Sequence, residues 1–152
     1  MGGLIVRFLA SFLAVAFLVF SRPAFAIDMA DPKPDMDNPR KIVLQLTEDD
    51  DKKVNGVLYN AINIQKYYGM DNVMVAVVAY AKGVNALLKD STTVADRIAS
   101  LQQYDVEFVA CGNTLDTMGK KTEDLLDGVV RVQAGIPEIV ERQLRGWIYI
   151  TP

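Results

Sequence analysis

The chain has 152 residues, of which 51% are hydrophobic and 23% charged, with six prolines and a formal net charge of −3. These are the proportions of a single globular domain, and they exclude disordered, collagen-like and disulfide-framework chains. With no histidine and one cysteine, Ser-His-Asp and Cys-His catalysis, imidazole metal sites, an intrachain disulfide and a C-x-x-C redox pair are also excluded, and neither metal nor cofactor is expected.

Arg7 precedes an apolar run from Phe8 to Phe20, after which come Ser21, Arg22, Pro23 and Ala24-Phe25-Ala26. The order charged, apolar, small-x-small is that of a secretory signal peptide over 1–26, cleaved after Ala26, which predicts a periplasmic or equivalent exported location. The run falls short of the ~20 residues that span a bilayer, although Leu4 to Val6 would extend it toward an uncleaved anchor. Residues 1–26 hold two arginines and no acid, so their removal takes the net charge from −3 to −5. A mildly acidic chain is poorly matched to phosphate backbones and anionic head groups, so neither nucleic acid nor, after cleavage, a membrane is an expected partner.

Residues 27–40 carry Pro32, Pro34 and Pro39 among Asp28, Asp31, Asp35 and Asp37, a composition read as an extended, disordered linker ahead of a domain over 41–152. Ile42 to Leu46 is a nearly continuous apolar run, as in a strand covered on both faces of a parallel sheet. Val54, Val57, Leu58, Ala61, Ile62 and Tyr68 then recur at helical steps, with Gly69 placed to end the helix in a left-handed cap. A second buried strand is predicted over Val73 to Ala79, a short turn of helix over Val84 to Lys89, and an amphipathic helix over Thr93 to Tyr104 through Val94, Ile98 and Leu101. A third strand follows at Val106 to Ala110, then a short helix at Leu115 to Gly119 and a turn at Asp127-Gly128. Val129 to Val132, Pro137 to Leu144 and Trp147 to Ile150 complete the chain as strand, helix and strand.

Strands and helices alternating at short connections predict one α/β domain with an open, mostly parallel sheet and flanking helices. Ligands in such sheets gather beyond the carboxyl ends of the strands. That points to Thr47 to Asp51, Tyr80 to Asn85 and Cys111 to Thr114, none of which carries a glycine-rich dinucleotide or phosphate-loop pattern.

Cys111 follows Glu107-Phe108-Val109-Ala110 directly and leads through Gly112-Asn113-Thr114 into Leu115. The thiol is therefore expected at a strand end facing a helix start, with Asn113 or Thr114 as the cap and Gly112 letting the backbone approach the sulfur. Amides at a helix N-terminus favour an anion and make the thiolate more available. The competing reading is a small apolar residue packed at the end of a core strand.

Three segments together resemble the DsrE/DsrF-like family. They are Glu107 to Leu115, Gly83-Val84-Asn85-Ala86-Leu87-Leu88-Lys89-Asp90, and the ending Gly146-Trp147-Ile148-Tyr149-Ile150-Thr151-Pro152. The resemblance covers nearly all of 41–152 and is to the exported branch of the family. It implies a small α/β domain assembling into trimers or hexamers, and a sulfur-relay function in which sulfur is held as a cysteine persulfide and passed between partner proteins. By that resemblance Cys111 is the sulfur-bearing residue, with Gly112, Asn113 and Thr114 around it. Tyr80-Ala81-Lys82-Gly83 stands where many relatives place a histidine or an acid, so Lys82 would supply a positive charge there beside Gly83. The alternative function is a noncatalytic oligomeric module that binds a small ligand or a protein and in which Cys111 is structural.

Two other groups have chemical potential. Glu48-Asp49-Asp50-Asp51 follows the first strand and could bind Mg²⁺, but the spacing suits a solvated acidic helix N-terminus better. Tyr67, Tyr68, Tyr80, Trp147 and Tyr149 could line a pocket, yet aromatics so placed are more often core or subunit contacts. Lys120 and Lys121, after Gly119, suit a helix C-terminus.

Overall fold

The computed structural model describes residues 28–152; the expected signal peptide and its cleavage point, with Ile27, lie outside them. Among the described residues five strands form one sheet: β1 (Arg40–Leu46), β2 (Val73–Ala79), β3 (Val106–Cys111), β4 (Val130–Val132) and β5 (Ile148–Ile150). Their order is β4-β3-β2-β1-β5 and every pairing is parallel. The helices are α1 (Asp51–Tyr68), α2 (Ala95–Gln102), α3 (Gly112–Thr117) and α4 (Gly135–Leu144). The chain is thus one α/β domain with an open parallel sheet and flanking helices. From Asp28 to Pro39 there is neither helix nor strand, and the Asp35 carboxylate accepts the backbone N–H groups of Asp37 and Asn38 in a turn.

The handedness of the connections decides which face each helix covers. From β1 to β2 to β3 the chain advances in one direction along the sheet, and right-handed crossovers put α1 and α2 on the same face. The step from β4 to β5 runs the other way, across the whole sheet, so the same handedness puts α4 on the opposite face. Side chains alternate accordingly. Ile42, Leu44, Val75, Val77, Phe108 and Ala110 pack under α1 and α2 with Leu58, Ile98 and Leu101. Val43, Ala76, Val78 and Val109 pack with Ile139 of α4. Cys111 lies two residues beyond Val109 and so shares the α4 face.

The element boundaries move for local reasons. The Asp50 carboxylate caps α1 through the N–H groups of Lys52 and Lys53 at 3.0 and 3.2 Å. Asp49 accepts from Asn85 and Asp51 from Thr93, so three of the clustered acids serve this helix start and the neighbouring loop. Gly69 ends α1 with φ +85 but ψ 143. That conformation suits glycine almost alone and is not the left-handed cap expected. The turn expected at Val84–Lys89 is a 3-10 helix over Ala81–Leu87. α4 starts at Gly135, two residues before the expected Pro137, because the third N–H of a helix has no intrahelical partner and a proline there costs no hydrogen bond. Arg142 is buried on α4 and forms ion pairs with Glu107 of β3 at 2.8 Å and Glu138 at 2.7 Å. Its guanidinium also lies over the Trp147 ring, so α4 is held to β3 at one end while its first turn reaches Cys111 at the other.

Candidate active site around Cys111

Cys111 is both the last residue of β3 and the N-cap of α3, and it is only 6% exposed. No side chain caps α3, which begins at Gly112 and not at Leu115. Neither Asn113 nor Thr114 plays the expected capping role, because both are already inside the first turn. Burial is the largest single influence on the thiol and pushes its pKa up. The Thr114 hydroxyl and the backbone N–H groups of Gly135, Thr114 and Asn113 donate to the sulfur and together outweigh burial, so the net direction is down. Anionic sulfur is thus favoured by hydrogen bonding while its surroundings stay largely dry.

The Thr114 hydroxyl is aimed by a neighbour. The Ala81 N–H donates to Thr114 Oγ1 at 3.3 Å, occupying a lone pair and leaving the hydroxyl proton for Cys111 Sγ. Ala81 is held at φ +49, a left-handed conformation that costs a non-glycine residue about 1 kcal/mol. The Asn113 N–H also reaches Gln133 O, at 3.0 Å, so its donation to sulfur is shared. The Gly135 N–H is the first of α4 and has no partner within its own helix.

The expected site residues divide into three groups. Cys111, Asn113 and Thr114 come together as donors and acceptor. Lys82 is exposed and lines an open cavity of about 430 Å3 with Ala81, Asn85, Asn113, Thr114 and Met118; Thr114 borders this cavity and bonds the sulfur as well. Gly112 and Gly83 sit against backbone. A Cβ on Gly112 would lie 2.6 Å from Val132 O, so this glycine lets β3 close on the end of β4. A Cβ on Gly83 would lie 2.2 Å from Leu46 O, so that residue seats the loop on the end of β1. A larger, more apolar groove of about 620 Å3 runs between α1 and α2 past Ile62, Met70, Leu101 and Tyr104 and shares no residue with the thiol's surroundings.

Gly135 is absent from the sequence-based site. A Cβ there would lie 3.2 Å from both Cys111 Cβ and Tyr80 Cβ, so only glycine brings the start of α4 this close to the thiol. Its signal in the sequence is a glycine two residues before a proline at the head of an amphipathic run.

An open parallel α/β sheet with one buried thiol at the carboxyl end of a central strand defines the class. The chain belongs to the DsrE/DsrF-like family, whose model matches residues 42–152. It is similar to a solved protein of unknown function from Methanobacterium thermoautotrophicum, with 37% identity over 74% of this chain and 99% of that one and a TM-score of 0.71. The fold is shared with a conserved protein of unknown function from Bacteroides thetaiotaomicron, at 18% identity over 74% of this chain and 94% of that one, with a TM-score of 0.59. It is shared too with the ychN protein of E. coli, at 17% identity over 75% and 99% of the two chains, with a TM-score of 0.61. Among curated proteins no similar sequence was found.

Proposed function

We propose that the protein is a sulfur carrier of the sulfur-relay type, holding sulfur as a persulfide on Cys111. The observation that carries this reading is the place of Cys111 at the junction of β3 with α3, with the start of α4 packed against it at Gly135; hydrogen bonding there favours the thiolate. The Cys111 thiolate attacks the outer sulfur of a donor persulfide R–S–SH. A new S–S bond forms at Cys111, the donor's S–S bond breaks, and RS⁻ departs with the electron pair, leaving Cys111–S–SH with no net oxidation. An acceptor thiolate takes the outer sulfur by the same exchange in reverse. Incubation with a small-molecule persulfide should raise the intact mass by one sulfur atom, and Cys111→Ser should abolish the gain. The low exposure of Cys111 favours the second reading, a noncatalytic binding module with a structural cysteine. That reading prevails if the thiol is alkylated only after denaturation and takes up no sulfur.

Export and self-assembly belong to the same proposal. The pattern of residues 1–26 supports a periplasmic or other exported carrier, with a sulfur-donor or acceptor protein as its partner. Ile136, Val140 and Leu144, four residues apart on α4, are 58%, 46% and 77% exposed; such an apolar stripe supports a homo-oligomer. Light scattering of the chain from Ile27 onward at micromolar concentration should read a trimer or hexamer, and a monomer would remove assembly from the proposal.

A further inference from the structure

Beyond the thiol's own donors lies a polar cluster that joins three strand ends. Gln45, on β1, accepts the phenol O–H of Tyr80 at 2.7 Å and also that of Tyr149 on β5. Both lone pairs of the Gln45 carbonyl are thereby used. The Gln45 side-chain N–H donates to Thr151 Oγ1 at 3.4 Å, which orients the amide with its oxygen toward the phenols. Burial, and then the neighbouring Tyr149, push the Tyr80 hydroxyl upward, so it stays a protonated donor. Tyr80 in turn presses on the start of α4: a Cβ on Gly135 would lie 3.2 Å from Tyr80 Cβ, 3.4 Å from its ring and 3.2 Å from Cys111 Cβ. Gly135 is therefore seated between Cys111 on one side and Tyr80 on the other.

We infer that Gln45 is a positioning residue for Cys111: by holding the Tyr80 phenol it fixes the seat of Gly135 and so the start of α4 that packs on the thiol. The path is continuous from β5 through Tyr149, Gln45 and Tyr80 to Gly135 and Cys111. It makes the thiol's reactivity depend on the last strand of the chain, which is three residues long and, among the described residues, pairs only with β1. This inference rests on the reading of Cys111 as a reactive thiolate, but it does not require that sulfur be carried.

The test is a double-mutant cycle read by the pH dependence of Cys111 alkylation in the full domain. Tyr80→Phe deletes one oxygen and keeps the ring; Gln45→Leu keeps the approximate volume and deletes the acceptor. Each should lower the alkylation rate at neutral pH by roughly two- to fivefold and move the rate profile to higher pH, since a partly lost amide bond to an anion is a fraction of a full one. If Gln45 acts through Tyr80, Gln45→Leu should add nothing further in the Tyr80→Phe background. Multiplying effects, or a pH profile left in place by Tyr80→Phe, would overturn the inference. Should Gln45→Leu fail to fold, Tyr149→Phe replaces it in the cycle, because it releases the other bond to the same oxygen. Sulfur uptake, followed by mass in the same samples, separates the two ideas: a shifted alkylation profile without sulfur uptake keeps the positioning role and removes the carrier function.

Discussion

Thr114→Val should slow alkylation of Cys111 at neutral pH by about three- to tenfold. The substitution keeps the shape of the side chain and removes the hydroxyl that donates to the sulfur and accepts from Ala81. A hydrogen bond to a charged group is worth about 1.5–3 kcal/mol, so losing this one raises the thiol pKa. The thiolate fraction falls accordingly, while a more basic thiolate is intrinsically more nucleophilic, which recovers roughly half of the effect on a logarithmic scale. Stability should respond as well. A thiol whose pKa is lowered by folding contributes stability that is fully present above its unfolded value and is lost as pH falls through the folded value. Urea midpoints of the wild type should therefore rise from neutral to alkaline pH more steeply than those of Thr114→Val or Cys111→Ser. An unchanged alkylation profile in Thr114→Val would show that the amides alone hold the thiolate.

Gly83→Ala should destabilise the domain by about 3 kcal/mol or more, an effect larger than most single substitutions produce. The added Cβ would stand 2.2 Å from Leu46 O, 2.6 Å from Leu46 C and 2.9 Å from Thr47 N. All three are backbone atoms at the end of β1, and no side-chain rotation relieves the overlap. Leu46 O also accepts the Tyr80 N–H at 3.1 Å, so moving either chain breaks the junction of β1 with the loop after β2. Gly56→Ala is the matched control: a Cβ there meets nothing within 4 Å on α1, and removing a mid-helix glycine should stabilise by about 0.5–1 kcal/mol. Urea denaturation reads both, and a Gly83→Ala midpoint close to that of the wild type would mean that the loop can leave β1 without loss.

Periodicity alone placed the strands and the long helices, because each element has a one-dimensional signature. Val75 to Ala79 is apolar throughout, as both of its faces are covered there, and Val54, Val57, Leu58 and Ala61 follow the helical repeat that their burial on α1 requires. The element starts were less legible. The position of Pro137 marks the first turn of α4 without saying which residue of that turn it is, and the capping capacity of Asn113 and Thr114 left open that β3 would run into α3 with no loop for a cap to occupy.

What the sequence determined by itself was the parallel α/β class, the chemistry available to a chain with one thiol and no histidine, and the place of that thiol at a strand end beside Asn113 and Thr114. All of these depend on residues near one another in the chain. Tertiary structure decided the rest of the site. The Gly135 amide, the Ala81 N–H behind Thr114, and the hold of Gln45 on Tyr80 and Tyr149 come from segments 24, 33 and up to 104 residues from their partners. Gly135 arrives because a right-handed crossover from β4 to β5 carries α4 over the face that Val109 and Cys111 share, and the other pairs meet because β3, β2, β1 and β5 lie side by side. Contacts between parallel strand ends and helix starts leave no periodic trace in sequence, since each end contributes a single residue and the fold alone sets which ends adjoin.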